Sequence, residues 1–294
     1  MFGISPEHIS LSFVLFWCGF WTFLFVFLLY VWKDTDSTPH KTLLLHRTIS
    51  CFATCFLSLF SLYLLHRSIF INNDSVPNSF LIFSGLYPFG MLKSSLVAAV
   101  LIFTLFFGPF VQSFFNVCDW YGNKTPWYKC VLYTLKDIFV SEDYLRTVII
   151  APIVEELVFR SAMIPLLIVA HYPRFIVCTL PPLFFGLAHL HHFPERAREH
   201  GVPKAVLACV FQMLFTTVFG AMSAFFYIRT GSIASSIVAH SICNGFGFPD
   251  FQEAFTHHKK KIIVPAYCIG LVSFFVIAPS LTSPSLFPQT TMWK

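Results

Sequence analysis

The sequence predicts an all-α, polytopic membrane protein of about eight transmembrane helices. Three observations predict it. Hydrophobic residues make up 56% of the 294-residue chain and charged residues only 11%, with a mean hydropathy of +0.71, whereas a soluble domain carries roughly a quarter charged residues. Apolar runs long enough to cross a bilayer recur along the whole chain. None of them alternates like a barrel strand, and an open chain in lipid must satisfy its backbone within each helix.

The runs fall at about residues 9–32, 48–66, 94–117, 145–170, 204–228 and 262–280. Two shorter runs, 175–190 and 231–247, complete the eight, because the polar segments around them require crossings. Orientation follows from Lys and Arg on alternate loops, since the basic side stays cytoplasmic. One side receives thirteen: Lys33, Lys41 and Arg47; Lys124, Lys129, Lys136 and Arg146; Arg196, Arg198 and Lys204; and Lys259, Lys260 and Lys261. The other receives five: Arg67, Lys93, Arg174, Arg229 and Lys294. Both termini are therefore expected on the extracytoplasmic side.

No repeat, linker or low-complexity tract divides the chain, so residues 1–294 read as one domain. The first apolar run is too long for a signal h-region and has no basic flank before it, so a true span is expected there. Cys118 to Tyr144, with Trp120, Tyr121, Trp127 and Tyr128 among lysines, reads as an interfacial segment. Sequons occur at Asn73, expected on the lumenal side, and at Asn123, expected on the cytoplasmic side. The nine cysteines are scattered and form no C-x-x-C, which makes them small buried hydrophobes rather than metal ligands.

Chemistry is concentrated within residues 145–250. The stretch 151–165, APIVEELVFRSAMIP, places Glu155, Glu156 and Arg160 inside an otherwise apolar span. Ionisable groups in such a span are costly unless paired or wetted, which marks a functional site or an ion pair joining helices. Glu156 and Arg160 are i and i+4 on one face, while Glu155 points about 100° away. One carboxylate is thus held by arginine and the other is available for work. Pro152 and Pro165 are expected to disturb backbone hydrogen bonding on either side.

Two later helices carry further polar pairs. In PPLFFGLAHLHH, Phe185 and His189 are i and i+4, with Pro181, Pro182 and Gly186 allowing kinks and close approach. In GSIASSIVAHSICNGFG, His240 and Asn244 are i and i+4 on a helix of small residues that suits close packing. Both His240 and Asn244 offer hydrogen-bond donors, as a developing oxyanion needs. Read singly, these pairs also fit interfacial histidines or an interhelical polar clamp.

Together, Glu155-Glu156-x-x-x-Arg160, Phe185-x-x-x-His189 and His240-x-x-x-Asn244 match, in order, the three motifs of the Rce1-type, type II CaaX prenyl proteases. The chain thus resembles these intramembrane glutamate proteases of the Abi/CPBP family over its C-terminal half. The resemblance implies endoproteolytic removal of the last three residues of farnesylated or geranylgeranylated CaaX proteins, Ras-like small GTPases among them. It implies an endoplasmic reticulum membrane location and an active-site cavity open to the cytoplasm. By the same resemblance Glu155 and His189 activate water, His240 and Asn244 form the oxyanion hole, and Glu156, Arg160 and Phe185 support them. No metal or other cofactor is implied; membrane lipids are partners and nucleic acid is not.

The topology agrees with that placement. Glu155 lies ~15 Å into its helix from the cytoplasmic end, and His189 lies near the same end of an antiparallel neighbour. Three alternatives remain open from the residues themselves. Glu155, His189 and His240 form a set able to hold zinc, although no H-E-x-x-H occurs. A non-enzymatic member of the fold or a proton-relaying transporter would also bury carboxylates, but proton relay does not require His189, His240 and Asn244 together. A serine mechanism through Ser232, Ser235 or Ser236 lacks a nucleophile turn and a base. The last residues, TTMWK, carry no CaaX cysteine, so the chain is not expected to be its own substrate.

Overall fold

The computed structural model describes residues 9–32, 35, 38–70, 76–121, 126, 128–129 and 142–287. Asn73, Asn123 and most of the expected interfacial segment lie outside the described residues; within that segment Trp120 is described and largely exposed.

Every regular element among the described residues is helical. Five helices have the length and apolar composition to cross a membrane: Leu11–Leu29, His40–Ile69, Arg174–His200, Val202–Thr230 and Lys260–Leu281. The chain is a multi-pass membrane protein. The large apolar side chains on its surface, such as Phe56, Phe175, Leu207 and Phe275, belong to these helices, where a soluble protein would carry charge.

Three expected spans take a less regular form. The run at 94–117 is two helices, Met91–Leu105 and Phe107–Tyr121, bent by 67° at Phe106. Pro109 cannot donate the backbone bond that would carry the helix through. Gly108 seats its backbone directly against Tyr267, where a Cβ would come within 2.6 Å of that residue's Cα. The run at 231–247 is the shorter helix Ile233–Phe246. The run at 145–170 is a broken helical segment, with π-helical turns at Arg146–Ile150 and Leu157–Ser161 enclosing the α-helical turn Ala151–Glu156.

The π turns stand beside the two prolines expected to disturb this helix. Pro152 has no N–H to close an α-helical bond onto the first π turn, and Pro165 none to return to Ser161. The second π turn ends with Ala162 donating to the Leu157 carbonyl at 3.0 Å. Neighbouring helices supply additional donors to this irregular backbone. Trp17 Nε1 donates to the Ala162 carbonyl at 2.9 Å and Cys55 Sγ to the Val154 carbonyl at 3.3 Å. Buried backbone oxygens are thereby satisfied from side chains where the ladder is irregular.

This segment forms the centre of the molecule. It contacts the helices at 11–29, 40–70, 174–188 and 233–246. The helix Arg174–Ala188 packs along Val202–Thr230, and Gly186 makes the close approach possible: a Cβ there would lie 2.2 Å from Thr217 Oγ1 and 2.7 Å from the Met213 carbonyl. The small-residue helix Ile233–Phe246 packs closely on Met91–Leu105, as its composition predicts. Cys18, Cys55, Cys209 and Cys243 are buried as small hydrophobes, whereas Cys268 is exposed on the outer face of the last helix.

Candidate active site

Adjacent glutamates on one helical turn diverge by about 100°, and here that divergence separates two environments. The Glu156 side chain is fully buried, whereas that of Glu155 is 18% exposed and faces a cavity. Glu156 Oε2 pairs with Arg160 Nε at 3.1 Å, as the i,i+4 spacing predicts. The same oxygen accepts a 2.6 Å hydrogen bond from Ser223 Oγ on the Val202–Thr230 helix. Its other oxygen, Oε1, lies 2.8 Å from His240 Nδ1.

Arg160 is enclosed entirely. Its Nη2 donates to the Gly220 carbonyl at 3.3 Å, and its guanidinium carbon lies 4.8 Å from the centroid of the Phe185 ring. A buried ion pair of this kind holds only because carboxylate and guanidinium have further partners. It joins the broken helix to Val202–Thr230 and, through His240, to Ile233–Phe246.

His189 sits at the transition from the helix Arg174–Ala188 to a 3-10 turn, His189–His192. Its Nδ1 lies 2.8 Å from the Phe185 carbonyl. A carbonyl only accepts, so Nδ1 carries a proton, and the lone pair of the neutral form is at Nε2. Phe185 stands edge-on to both histidines, with ring centroids 4.8 Å from His189 and 5.9 Å from His240. The Phe185–His189 pair seen in the sequence thus positions one histidine through its backbone and packs against the other through its ring.

His240 is held between the two glutamates, with Nε2 3.7 Å from Glu155 Oε2. One turn later, Asn244 Nδ2 donates to the Thr147 carbonyl at 2.9 Å, within the first π turn. Glu155 and His189 are not in direct hydrogen-bond or ion-pair contact, but both line the same space.

That space has two lobes sharing Arg146, Ala151, Glu155, Phe185, His189 and His192. The larger, of about 490 Å³, also reaches His240 and Asn244 and is otherwise walled mostly by apolar side chains, including Phe106, Phe215, Phe219, Met222 and Phe248. The smaller, of about 150 Å³, is bordered by Tyr30, Arg47, Cys51, His191 and Glu195. Glu155 and His189 stand where the lobes meet, so a chain lying across both would pass them. Glu156 and Arg160 line neither.

The sequence motifs did not reveal Ser223, Phe219, Arg47 or Arg146. Ser223 and Phe219 lie on a helix without a motif, and only packing brings their side chains to Glu156 and His240, the Phe219 ring at 4.6 Å from that of His240. A metal centre on Glu155, His189 and His240 would need their donor atoms gathered around one ion at about 2 Å each. Among the described residues these three do not form such a group; the cluster that does is Asp119, His257 and His258, away from the cavity. There His257 Nδ1 accepts the Lys259 N–H at 2.9 Å, which leaves the ring proton of the neutral form on Nε2, facing Asp119 at 3.3 Å. That is the geometry of a hydrogen-bonded pair.

Comparison with known proteins agrees with the motifs. The family model of type II CAAX prenyl endopeptidases, Rce1-like, matches residues 138–246, which hold all three polar pairs. A human protein named CAAX prenyl protease 2 is 33% identical over 270 residues, covering 88% of this chain and 78% of its own length. The Arabidopsis thaliana protein of that name is 38% identical over 148 residues, 50% of this chain and 46% of its own. A Schizosaccharomyces pombe protein named probable CAAX prenyl protease 2 is 31% identical over 189 residues, 63% of this chain and 65% of its own. No solved structure matches the chain. A third of the positions are shared with the human relative across most of both chains, and the chain therefore belongs to the Rce1-like type II CAAX prenyl endopeptidases.

Proposed function

We propose that this protein cleaves prenylated CaaX proteins, Ras-like small GTPases among them, releasing the aaX tripeptide at the cytoplasmic face of the endoplasmic reticulum membrane. The observation that carries the reading is the meeting of Glu155 and His189 at the junction of a large apolar lobe, which His240 and Asn244 also line, and a smaller, more polar one. The apolar lobe suits a prenyl chain and the polar lobe a short peptide tail, which sets the peptide bond after the prenylated cysteine at Glu155.

Glu155 and His189 hold the attacking water between them. As its oxygen bonds to the scissile carbonyl carbon, the water gives a proton to Glu155, assisted by the free Nε2 lone pair of His189. The carbonyl oxygen becomes an oxyanion facing His240 and Asn244. Glu156 accepts at Nδ1 of His240, so a donor at Nε2 requires the doubly protonated ring, whose charge then faces the Glu156 carboxylate. Asn244 spends one amide proton on Thr147 and keeps a second for the oxyanion. Collapse of the intermediate breaks the C–N bond, and the proton held by Glu155 passes to the leaving amine. The products are a prenylcysteine carboxylate and a free tripeptide.

The cytoplasmic side is supported by charge. Arg47, Arg146 and the nearby Arg196 and Arg198 belong to the thirteen basic residues assigned to one face, and the first two border the cavity. The test is cleavage of a farnesylated CaaX peptide by the purified chain in detergent. Glu155→Ala and His189→Ala are each expected to lower kcat by ~10²–10⁴-fold, and activity of the unaltered chain is expected to persist with a strong chelator. Full activity in both variants would overturn the assignment, and loss on chelation reversed by zinc would favour a metal mechanism.

A further inference from the structure

The smaller lobe contains two guanidinium groups that the water-activation chemistry leaves unused. Arg47 lies near the start of the helix His40–Phe70, and Arg146 opens the first π turn. Both are half-buried, both border the lobe, and neither makes a hydrogen bond or ion pair at contact distance with a described residue. The carboxylates on the lobe, Glu155 and Glu195, are not at ion-pair distance from either. This contrasts with Arg160, whose guanidinium is paired with Glu156. Two half-buried cations without partners among the described residues, beside His191 and His192, make the lobe a site for an anion.

We infer that Arg47 and Arg146 bind the terminal carboxylate of the tripeptide tail and so measure its length. The inference rests on the proteolytic reading above. Arg146 precedes Glu155 by nine residues, about 13 Å of helical rise, and three extended residues span at most about 11 Å. A tail cut at Glu155 therefore brings its carboxylate within reach of a side chain projecting from Arg146. Guanidinium groups suit this task because their planar donors match the two oxygens of a carboxylate. A longer tail would overrun the pair and a blocked one would leave both cations unanswered, so the clamp would confine the enzyme to free C-terminal ends.

The test compares two farnesylated CaaX peptides, identical except that one ends in a free carboxylate and the other in a carboxamide, with kcat/KM measured on the full chain. The unaltered protein is expected to prefer the acid by about 10–100-fold, the worth of a charge-assisted hydrogen bond lost. In Arg47→Gln and Arg146→Gln that preference is expected to fall several-fold, and in the double variant to approach one. Arg146→Lys should keep part of it. Because the readout is a ratio within one preparation, reduced folding of a variant does not imitate the result. Equal cleavage of acid and amide by the unaltered protein, or an undiminished preference in the double variant, would overturn the inference while leaving the protease reading intact. Cleavage of neither peptide would overturn that reading and the inference with it.

Discussion

Glu156 touches His240 directly, carboxylate oxygen to Nδ1 at 2.8 Å, although the two residues lie 84 positions apart on different helices. The contact makes the buried glutamate more than a counter-ion for Arg160. It fixes which edge of the imidazole turns toward Glu155 and the cavity, and it links the position of the Arg160 pair to the cavity wall. Three expectations follow from the surroundings of this contact.

Removing one member of the buried pair leaves the other without compensation, at a cost of about 3–5 kcal/mol. Arg160→Met and Glu156→Gln are therefore each expected to lower the thermal unfolding midpoint markedly in detergent. The double variant Glu156→Gln/Arg160→Met is expected to be less destabilised than the sum of the two, since no lone buried charge remains. Additive losses would show that the pair contributes independently of its partners.

Ser223 offers a narrower perturbation. Its hydroxyl donates to Glu156 Oε2 at 2.6 Å within the core, and Ser223→Ala removes that donor while keeping the helix. Loss of a hydrogen bond to a charged acceptor costs about 1.5–3 kcal/mol. The expected result is a lowered kcat with KM little changed, because Ser223 acts on the orientation of Glu156 and His240 rather than on substrate. A change confined to KM would place Ser223 in substrate binding instead.

Gly186 tests the framework rather than the chemistry. A methyl group there would meet both Thr217 Oγ1 and the Met213 carbonyl, and the carbonyl belongs to helical backbone that cannot retreat alone. Gly186→Ala is expected to destabilise by ~1–3 kcal/mol and to displace His189, three residues on. Unfolding midpoint and peptide cleavage should fall together. An unchanged midpoint would mean that Arg174–Ala188 and Val202–Thr230 are free to separate.

Much of this arrangement was legible from residue order, and the reason is that it is helical. The i,i+4 spacing of Glu156 and Arg160 became an ion pair, that of Phe185 and His189 a shared turn, and the 100° offset of Glu155 its exposure to the cavity. What stayed hidden depends on which helix faces which. Ser223 resembles any serine in a small-residue stretch, and Arg47 and Arg146 read as ordinary basic flanks of two spans. The bend at Phe106 was missed because the run from 94 to 117 is apolar enough to count as one span; Pro109 was visible within it, but the seating of Gly108 against Tyr267 is a contact between distant positions. Hydropathy counts residues toward a span but does not register where backbone geometry changes within it, so five long helices meet a length criterion where about eight crossings were expected.

The two π turns around Ala151–Glu156 bear on how this chain tolerates change in length. Each wide turn accommodates about one residue more than an α-helical turn, behaving as a single-residue insertion absorbed without breaking the helix. Deleting one residue from Arg146–Ile150 would let the ladder close as ordinary α-helix with the parts before and after it nearly in phase, whereas deleting one from the start of the α-helical turn Ala151–Glu156 would rotate them by about 100° against each other. In the second case Thr147, to which Asn244 is bonded, and Arg146 would swing away from the cavity while Glu155 kept its place among the neighbouring helices. The segment therefore accepts the loss of a residue within a π turn more readily than within the α-helical turn that the two enclose.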